Sequence, residues 1–503
     1  MTQPPRKPKH VLLVSHDFPP VGGIGVQRAL KFAQYLGTFG WQVTVLTAKD
    51  VYSATMDPSL AALIPEDVPV LRVSDPVSKW LGRWQHRLAG DRGANVVHGT
   101  KGRRSDDGAT GAAGDDRASG GMTTMTRTPN GQTGSLLRTL LARRALRLWK
   151  WAKARLLIPD EAMVWALRAA LAGNVLIRQR GVDCIYTTSG PHSTHLAGLI
   201  MKAATGVPWV ADFRDPWTDN LHFHHSGLRA RIERHLERMV LQRADAVVTV
   251  TDGFRRLFEQ KDPGLREKLH LIRNGVDEAD FPTPLYREPQ DAARAREGKP
   301  RFVLFYAGIL YPGRSPAAFL QAVHDLIQSG RVARQDLLIQ FAGVFDYPGH
   351  DDNRRLVAEL GLTDVTEVLG YIPRVEALAR MMTADVLLLF GDLSQQAGDY
   401  VPGKLYEYLY AGRPILALLP EGEAADIVRR EKAGIVVDPR DPAAIADGLL
   451  RILDLAAHGG STPPRRKLAD VYTRRGQAAA LAACMDALLN VRAVPAQFRS
   501  AIP

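Results

Sequence analysis

Apolar and polar positions along this chain alternate in blocks that predict strands followed by helices. Short apolar runs bounded by turn residues predict buried strands, and longer segments with an apolar residue every three or four positions predict amphipathic helices. That alternation is typical of an α/β domain. In the first half it predicts strands at His10–Val14, Trp41–Leu46, Cys184–Thr187, Pro208–Phe213, Ala244–Val250 and Leu269–Ile272, with helices at Gln27–Leu36 and Leu196–Ala204.

The same alternation of predicted strands and helices resumes after a charged, proline-containing segment, Pro282–Pro300, which predicts a linker. A last helical pattern, Arg475–Leu489, follows the second α/β unit. A chain of 503 residues is too long for one ordinary domain, so at least two are expected. Strands of the second unit are predicted at Arg301–Ala307, Leu337–Ala342, Val365–Leu369, Val386–Phe390 and Ile415–Leu418.

One stretch inside the first half breaks this pattern. From about Leu88 to Ser135 the composition shifts to small and polar residues with almost no large apolar side chain, which predicts a disordered insert at 88–135. A basic segment without acids follows, and its leucines form one stripe of an amphipathic helix at 135–157. Such a helix suits either an anionic membrane surface, with Trp149 and Trp151 at headgroup level, or the core of a domain. A second basic and aromatic stretch, Ser78–Arg87, favours the membrane.

Charge and cysteine content indicate the kind of binding partner and the cellular compartment. The formal net charge of +12 predicts an anionic partner, for which phosphorylated substrates, anionic lipid and nucleic acid all have the right sign. The two cysteines, Cys184 and Cys484, lie far apart and match no disulfide framework or metal motif, which indicates a reducing compartment. The apolar run at the start is too short for a signal peptide, and no run approaches the ~18 residues of a membrane span. We therefore expect a cytoplasmic protein, either soluble or held at a membrane surface.

The segment Asp399–Pro414 carries the clearest candidate chemistry of the second half. It places two acids, Asp399 and Glu407, ahead of an Ala-Gly-Arg-Pro turn. A helix that opens just before Gly403 and Lys404 leaves backbone N–H groups and a positive dipole end free for a diphosphate. Glu407, one turn further on, can accept hydrogen bonds from two ribose hydroxyls. The alternative is an ordinary amphipathic helix with Glu407 in solvent.

Candidate residues of the first half lie where predicted strands end. Gly22 and Gly23 form a turn between the first strand and its helix, where glycine adopts a positive φ without steric cost. Arg28, inside that helix, could face a phosphate or water. The turn after Cys184–Thr187 contains Pro191 and two histidines, and Pro208–Phe213 runs into an Asp-x-Arg-Asp cluster. Ligands of open α/β sheets bind at these carboxyl ends.

Of the two histidines we favour His192 as the functional one, because it directly follows Pro191 at the turn. His195 would already lie inside the helix. The acid and arginine cluster consists of Asp212, Arg214 and Asp215.

The Asp399–Pro414 segment resembles the nucleotide-gripping signature of retaining glycosyltransferases of family 4, which have the two-domain GT-B fold. That family usually carries Glu at both acidic positions, and here Asp399 stands at the first and Glu407 at the second. The resemblance covers nearly the whole chain except the insert and the termini. It implies an α/β fold of two facing Rossmann-like domains with a cleft between them. The implied parts are an acceptor domain at 1–285, a linker at 286–300, a nucleotide-sugar domain at 301–472, and a terminal helix at 473–490 that crosses back to the first domain.

The resemblance also implies roles for individual residues. In a bacterial subgroup that builds cell-surface polysaccharides, the residue at the position of His192 faces the transferred sugar, and the acid and arginine cluster lines the cleft. The diphosphate would rest on basic side chains and a helix end, although Leu310 occupies the place where the family's first basic residue usually stands. The implied catalytic residues are His192, Asp212, Arg214 and Asp215, and the implied donor-binding residues are Gly22, Gly23, Arg314, Tyr371, Ile372, Asp399, Gly403, Lys404 and Glu407, with Tyr371 and Ile372 at the base.

Together these features predict a glycosyltransferase. We expect it to move a sugar from a nucleoside-diphosphate sugar, with UDP favoured, to an acceptor hydroxyl with retained configuration. The expected acceptor is a lipid-linked saccharide in surface polysaccharide or lipopolysaccharide assembly, at the inner face of the cell membrane. No cofactor or metal is expected, since basic groups and a helix end neutralise the leaving group in this fold, and no nucleic acid is expected, since no module for it is recognisable. The alternatives are a sugar-nucleotide epimerase of similar fold and a non-catalytic GT-B binding subunit.

Overall fold

A computed structural model describes nine stretches of the chain, and they form two α/β units. The described residues are 8–49, 51, 56–79, 157–220, 225–282, 302–347, 349–394, 397–458 and 468–493. The predicted insert at 88–135 and the predicted linker at 286–300 lie outside these ranges. The predicted basic helix at 135–157 also lies outside them, apart from its last residue.

The first unit is built on a seven-stranded parallel sheet with the order β3-β2-β1-β4-β5-β6-β7. Its central strands β4 and β5 are buried along their whole length, because helices cover both faces of the sheet. The chain changes direction between β1 and β4, which creates the crevice where open sheets bind ligands. The strands are β1 Lys9–Val14, β2 Trp41–Lys49, β3 Val70–Ser74, β4 Cys184–Thr188, β5 Trp209–Phe213, β6 Ala246–Thr249 and β7 Leu269–Leu271, and the helices are α1 Ile24–Tyr35, α2 Met163–Arg180, α3 Ser193–Thr205, α4 Gly227–Arg243 and α5 Asp252–Lys261.

The second unit has a six-stranded parallel sheet with the order β10-β9-β8-β11-β12-β13. Its change of direction lies between β8 and β11. The strands are β8 Phe302–Ile309, β9 Leu337–Val344, β10 Thr366–Gly370, β11 Val386–Phe390, β12 Ile415–Leu418 and β13 Gly434–Val437. The helices are α6 Ala317–Gln328, α7 Asp352–Glu359, α8 Arg374–Thr383, α9 Gly403–Ala411, α10 Glu423–Arg430 and α11 Pro442–His458.

The last helix, α12 (Arg474–Ala493), packs on the first unit. Leu481 and Met485 are fully buried in the core formed by β1, β2 and α1. Asp486 accepts a hydrogen bond from Trp41 Nε1 at 3.0 Å. Both faces of the first sheet are therefore covered, one of them partly by the end of the chain. None of the described helices combines the length and apolar character that a bilayer span needs.

The chain passes between the two units at two neighbouring places. Val276, after β7, donates its backbone N–H to the carbonyl of Tyr472 at 2.9 Å, and the N–H of Arg474 returns to the carbonyl of Val276 at 2.8 Å. The outgoing and returning segments thus run parallel and side by side.

Candidate functional site

The glycine turn after β1 is held by an arginine from the neighbouring strand end. Gly22 is buried, and Gly23, with φ 101°, immediately precedes α1. The guanidinium of Arg214 donates to the carbonyl of Gly25 and, at 3.3 Å, to the carbonyl of Gly190. A Cβ atom on Gly25 would lie 2.9 Å from Arg214 Nη1, so a larger residue at this position would displace the guanidinium. Arg214 therefore fixes the glycine turn against the turn that follows β4.

Asp212 is an internal residue and does not reach the open cleft, contrary to what the resemblance implied. Its carboxylate accepts hydrogen bonds from Arg28 Nε at 2.7 Å, from the Tyr186 hydroxyl at 2.5 Å and from Thr188 Oγ1 at 3.0 Å. Arg28 also donates to the carbonyl of Ile272 at 2.9 Å, and it is only 1% exposed. The expectation that Arg28 faces phosphate or water is wrong, because this buried ion pair ties α1 to the sheet.

His192 lies at the wall of a cavity of about 790 Å³ in the first unit. Its ring stacks on Trp217, with 5.2 Å between centroids and 5° between planes. Burial, together with the charges of Arg214 and Lys261, lowers the pKa of His192 to about 3, so the imidazole is neutral at neutral pH. Its Nδ1 atom is buried without a hydrogen-bond partner in the part of the chain that the structure describes. A ligand hydroxyl is a suitable partner for this nitrogen.

The other predicted residues divide between this cavity and the core. Asp215 is exposed and lines the same cavity. His195 is fully buried inside α3, where its Nδ1 lies 2.8 Å from Thr187 Oγ1. The structure thus places His192, and not His195, at the cavity.

Lys404 stands at the start of α9, and its side-chain nitrogen is buried with no hydrogen-bond partner among the described residues. The nitrogen lies 3.9 Å from the centroid of the Tyr306 ring. A Cβ atom on Gly308, which has a φ of 147°, would lie 2.2 Å from it. Burial, and then the charge of Arg314, lower the pKa of Lys404 well below its ordinary range, while Glu407 acts in the opposite direction. The ligand-free site therefore disfavours the charged form of Lys404, and a bound anion would favour it.

Arg314 supplies the second positive charge at this end of the sheet. It sits in the turn after β8, where its backbone N–H donates to the carbonyl of Tyr311 at 2.6 Å and its guanidinium lies 4.9 Å from that ring's centroid. Its Nε is buried without a partner. Leu310, at the position where relatives usually carry a base, is 1% exposed and belongs to the core. Two cations and the amino end of α9 therefore converge where a diphosphate could be bound.

Glu407 is engaged in an ion pair and does not lie in solvent. Its carboxylate lies 2.8 Å from Arg374 Nη1, and its side chain is 18% exposed. The second nitrogen, Arg374 Nη2, lies 3.2 Å from Asp280 of the first unit. The alternative of an ordinary helix with a solvated Glu407 is therefore wrong, although the helix is amphipathic and buries Leu405 and Leu409.

The predicted base-binding loop lies between β10 and α8. Gly370 has a φ of 67° and turns the chain, Tyr371 is 87% exposed, and Ile372 packs partly against the core. Their contact with a base stays a prediction. Asp399, in a short turn ahead of α9, faces the first unit, with its carboxylate 3.7 Å from Arg256.

Comparison with known families agrees with this geometry. A family model described as "Glycosyl transferase 4-like domain" matches residues 117–275, and one described as "Glycosyl transferases group 1" matches residues 287–469. The chain belongs to the family 4-type glycosyltransferases of the GT-B fold. The predicted fold of two facing Rossmann-like units is confirmed, whereas the polysaccharide subgroup stays a prediction.

Curated relatives of this glycosyltransferase are distant. The D-inositol 3-phosphate glycosyltransferase of Nocardioides sp. is 29% identical over 230 residues, covering 43% of this chain and 48% of the relative. The 2-deoxystreptamine glucosyltransferase of Streptomyces kanamyceticus is 27% identical over 301 residues, covering 57% of this chain and 73% of the relative. The chain thus spans about half the length of the first of these relatives.

Solved structures share the fold of this glycosyltransferase over almost its whole length. HepE of Anabaena in complex with UDP has a TM-score of 0.54 and 14% identity, covering 96% of this chain and 99% of that one. A glycosyltransferase of Rickettsia africae has a TM-score of 0.52 and 13% identity, covering 96% of this chain and 97% of that one. At these identities the likeness supports the fold alone.

The cavity at His192 is also lined by His16, which was not predicted from the sequence. His16 follows β1, with Nδ1 2.7 Å from Asp17 and Nε2 3.0 Å from the fully buried Asp75. Although burial lowers the pKa of His16, the hydrogen bonds and charges of these two carboxylates outweigh it and raise the pKa to about 9. The Ser-His-Asp sequence at a strand end was the available signal, but its partner Asp75 is remote in the chain. Among the described residues no group of three or more metal-ligating side chains is placed to hold a metal, and independence from metal stays a prediction.

Proposed function

We propose that this glycosyltransferase moves a sugar from a nucleoside-diphosphate sugar, with UDP favoured, to an acceptor hydroxyl with retained configuration. One observation carries the proposal: the side-chain nitrogen of Lys404 is buried beside Arg314, one turn before Glu407, with no hydrogen-bond partner among the described residues. A buried cation without a partner is costly in a folded protein, and a bound diphosphate would supply the missing anion.

The same groups account for leaving-group activation. As the glycosidic bond breaks, its electron pair goes to the departing diphosphate, where negative charge develops. Lys404, Arg314 and the N–H groups at the start of α9 are preorganised for that charge. Glu407 is placed to accept hydrogen bonds from the ribose, in exchange for part of its ion pair with Arg374.

The cavity of the first unit is suited to the acceptor. His192, neutral at neutral pH, presents Nδ1 to an acceptor hydroxyl beside the buried face of Trp217. In the proposed reaction the acceptor oxygen bonds to the anomeric carbon on the face that the diphosphate leaves, and its proton passes to a departing phosphate oxygen. Same-face attack retains the configuration without a covalent enzyme intermediate.

The proposed acceptor is a lipid-linked saccharide in surface polysaccharide or lipopolysaccharide assembly, reached from the inner face of the membrane. The basic, tryptophan-containing segments around residues 78–87 and 135–157 support this proposal. Liposome flotation of the intact chain against a chain lacking Ser135–Arg155 tests it. We expect only the intact chain to float with anionic vesicles, and equal flotation of both folded chains would contradict the membrane proposal.

The relatives' names suggest smaller acceptors for comparison. D-inositol 3-phosphate and 2-deoxystreptamine should therefore be tested beside lipid-linked saccharides in the acceptor panel. Donor turnover without any acceptor would instead indicate an epimerase, and donor binding without turnover under all conditions would indicate a non-catalytic subunit.

Donor binding can be tested at Glu407 with a ligand analogue. We expect wild-type protein to bind UDP at least tenfold more tightly than 2′-deoxy-UDP, and Glu407→Ala to lose this discrimination, because the hydroxyl's acceptor is gone. Isothermal titration calorimetry measures both affinities. Glu376→Ala is the matched control, since Glu376 lies on α8 and is 43% exposed. Retained discrimination in Glu407→Ala would remove the ribose assignment.

A further inference from the structure

The amino end of α5, in the first unit, is capped by a residue of the second unit. Glu423, the first residue of α10, accepts hydrogen bonds from the backbone N–H groups of Asp252 at 2.5 Å and Gly253 at 3.4 Å. It also forms an ion pair with Arg273 at 2.7 Å, and it is only 9% exposed. The first N–H groups of a helix need outside acceptors, and here the other domain provides one of them.

A second contact at the same helix end involves Asp399. A Cβ atom placed on Gly253 would lie 2.1 Å from Asp399 Oδ1 and 2.6 Å from Asp399 Cβ, distances that real atoms do not adopt. The next residue, Tyr400, packs edge-on against Phe254 with 4.8 Å between ring centroids. Asp399 thus fits against the bare Cα of Gly253. Its ion pair with Arg256 is long and exposed, so shape contributes more than charge.

This fit gives a steric reason for an aspartate where the family usually carries glutamate. A glutamate is one methylene longer than Asp399, so its carboxylate could not take the same position against Gly253 without a shift of the turn. That turn leads directly into α9, which carries Lys404 and Glu407. The contact therefore links the placement of the donor helix to the first unit.

We propose that Asp399 and Glu423 together form a cross-domain clamp on the amino end of α5, and that Asp399 is a positioning residue that sets α9 against the acceptor cavity. The catalytic part of this inference rests on the proposed glycosyl transfer, whereas the clamp itself does not. The groups proposed to bind the nucleoside diphosphate, Arg314, Lys404 and Glu407, lie in the second unit, so loss of the clamp should affect turnover more than UDP affinity.

Gly253→Ala gives the sharpest test, because alanine normally favours a helix over glycine. We expect this variant and Asp399→Glu each to lower kcat at least tenfold while the dissociation constant for UDP changes less than threefold. The matched control is Gly37→Ala, since no atom lies within 4 Å of the Cβ position of Gly37. Wild-type kcat in Gly253→Ala would overturn the positioning role.

Small-angle scattering of the ligand-free protein tests the clamp independently of activity. We expect a larger radius of gyration for Gly253→Ala and Glu423→Ala than for wild type, and no change for Glu421→Ala, whose side chain is 78% exposed. Adding Asp399→Gly to Gly253→Ala should restore the wild-type radius, because it removes the opposing side chain.

The two hypotheses fail in different ways. If the wild-type protein turns over no donor but the scattering differences appear, the proposed function is wrong and the clamp stands. If turnover occurs but the variants scatter as wild type does, the clamp is wrong and the proposed function stands.

Discussion

Lys404 is the residue on which the donor site most directly depends. A buried ammonium without acceptors destabilises a fold, because its hydration is lost and nothing replaces it. Here the nitrogen lies over the Tyr306 ring and next to Gly308, where a side chain would clash with it. The proposed donor would supply the missing hydrogen-bond acceptor through its diphosphate.

Replacing Lys404 should therefore separate stability from binding. We expect Lys404→Met to raise the free energy of unfolding of the ligand-free protein by about 1–3 kcal/mol, the usual cost of an unsatisfied buried polar group. The same change should weaken UDP binding at least tenfold, about 1.4 kcal/mol. Denaturant titration and calorimetry measure the two effects. Lys432→Met, at an exposed lysine of the same unit, should change neither.

Replacing Asp212 should lower the stability of the protein, whereas replacing Lys404 should raise it. Removing the charge of one partner from a buried ion pair leaves the other uncompensated, so Asp212→Asn should lower stability by about 3–5 kcal/mol. The control is Asp219→Asn, whose half-exposed carboxylate pairs near the surface, where the cost is expected to be below about 1 kcal/mol. A midpoint of thermal unfolding for Asp212→Asn equal to that of wild type would contradict the structural role.

At the scale of elements, His16 and Asp75 join the end of β1 to the segment after β3. The pKa of His16 is raised above its ordinary value of 6.5 to about 9. The stabilisation is thus fully present below about pH 6.5 and is lost as pH rises through about 9. The difference in free energy between wild type and His16→Gln should be on the order of 3 kcal/mol at pH 6 and shrink toward pH 10.

Urea titrations over this pH range measure that difference. The same substitution at His235, an exposed residue of α4, is the control and should change the free energy of unfolding by less than about 0.5 kcal/mol. A constant difference for His16→Gln would show that its carboxylate pairs do not stabilise the fold.

Most strands could be predicted from sequence, including the edge strands β7 and β10, whereas the other edge strand of each sheet was missed. Continuous apolar runs identified β11 and β12 because both faces of these strands are buried. The edge strands β3 and β13 were missed because they are mostly only partly buried, β3 contains polar residues, and β13 is four residues long and begins with glycine. A short or partly polar strand gives a weaker apolar pattern than a buried central one.

In the candidate site, features within one element could be predicted from sequence, whereas contacts between distant elements could not. The spacing of Lys404 and Glu407 on one helix is local, so it could be read directly. The buried ion pair between Asp212 and Arg28 depends on how α1 packs on the sheet. The contact of Asp399 with Gly253 depends on how the two units pack against each other. Contacts between elements remote in the chain leave no periodic signal.

For the whole molecule, α12 connects the end of the chain to the first sheet. Leu481 is fully buried there, so Leu481→Ala should destabilise the protein by about 2–5 kcal/mol through lost burial and a cavity. Asn490→Ala, at an exposed position of the same helix, should stay within about 0.5 kcal/mol. Thermal unfolding measures both variants, and equal midpoints would show that the helix contributes little to the first unit.

The paired crossings at Val276 and Tyr472 have a consequence for how the protein can be divided. They make the second unit an insertion within a discontinuous first unit. A cut in the linker therefore yields no free-standing halves, since the later fragment would keep α12 with its apolar face uncovered. Excising residues 283–471 and bridging the ends with a flexible peptide should instead keep the pairing of Val276 with Tyr472 and leave an acceptor module with its own last helix.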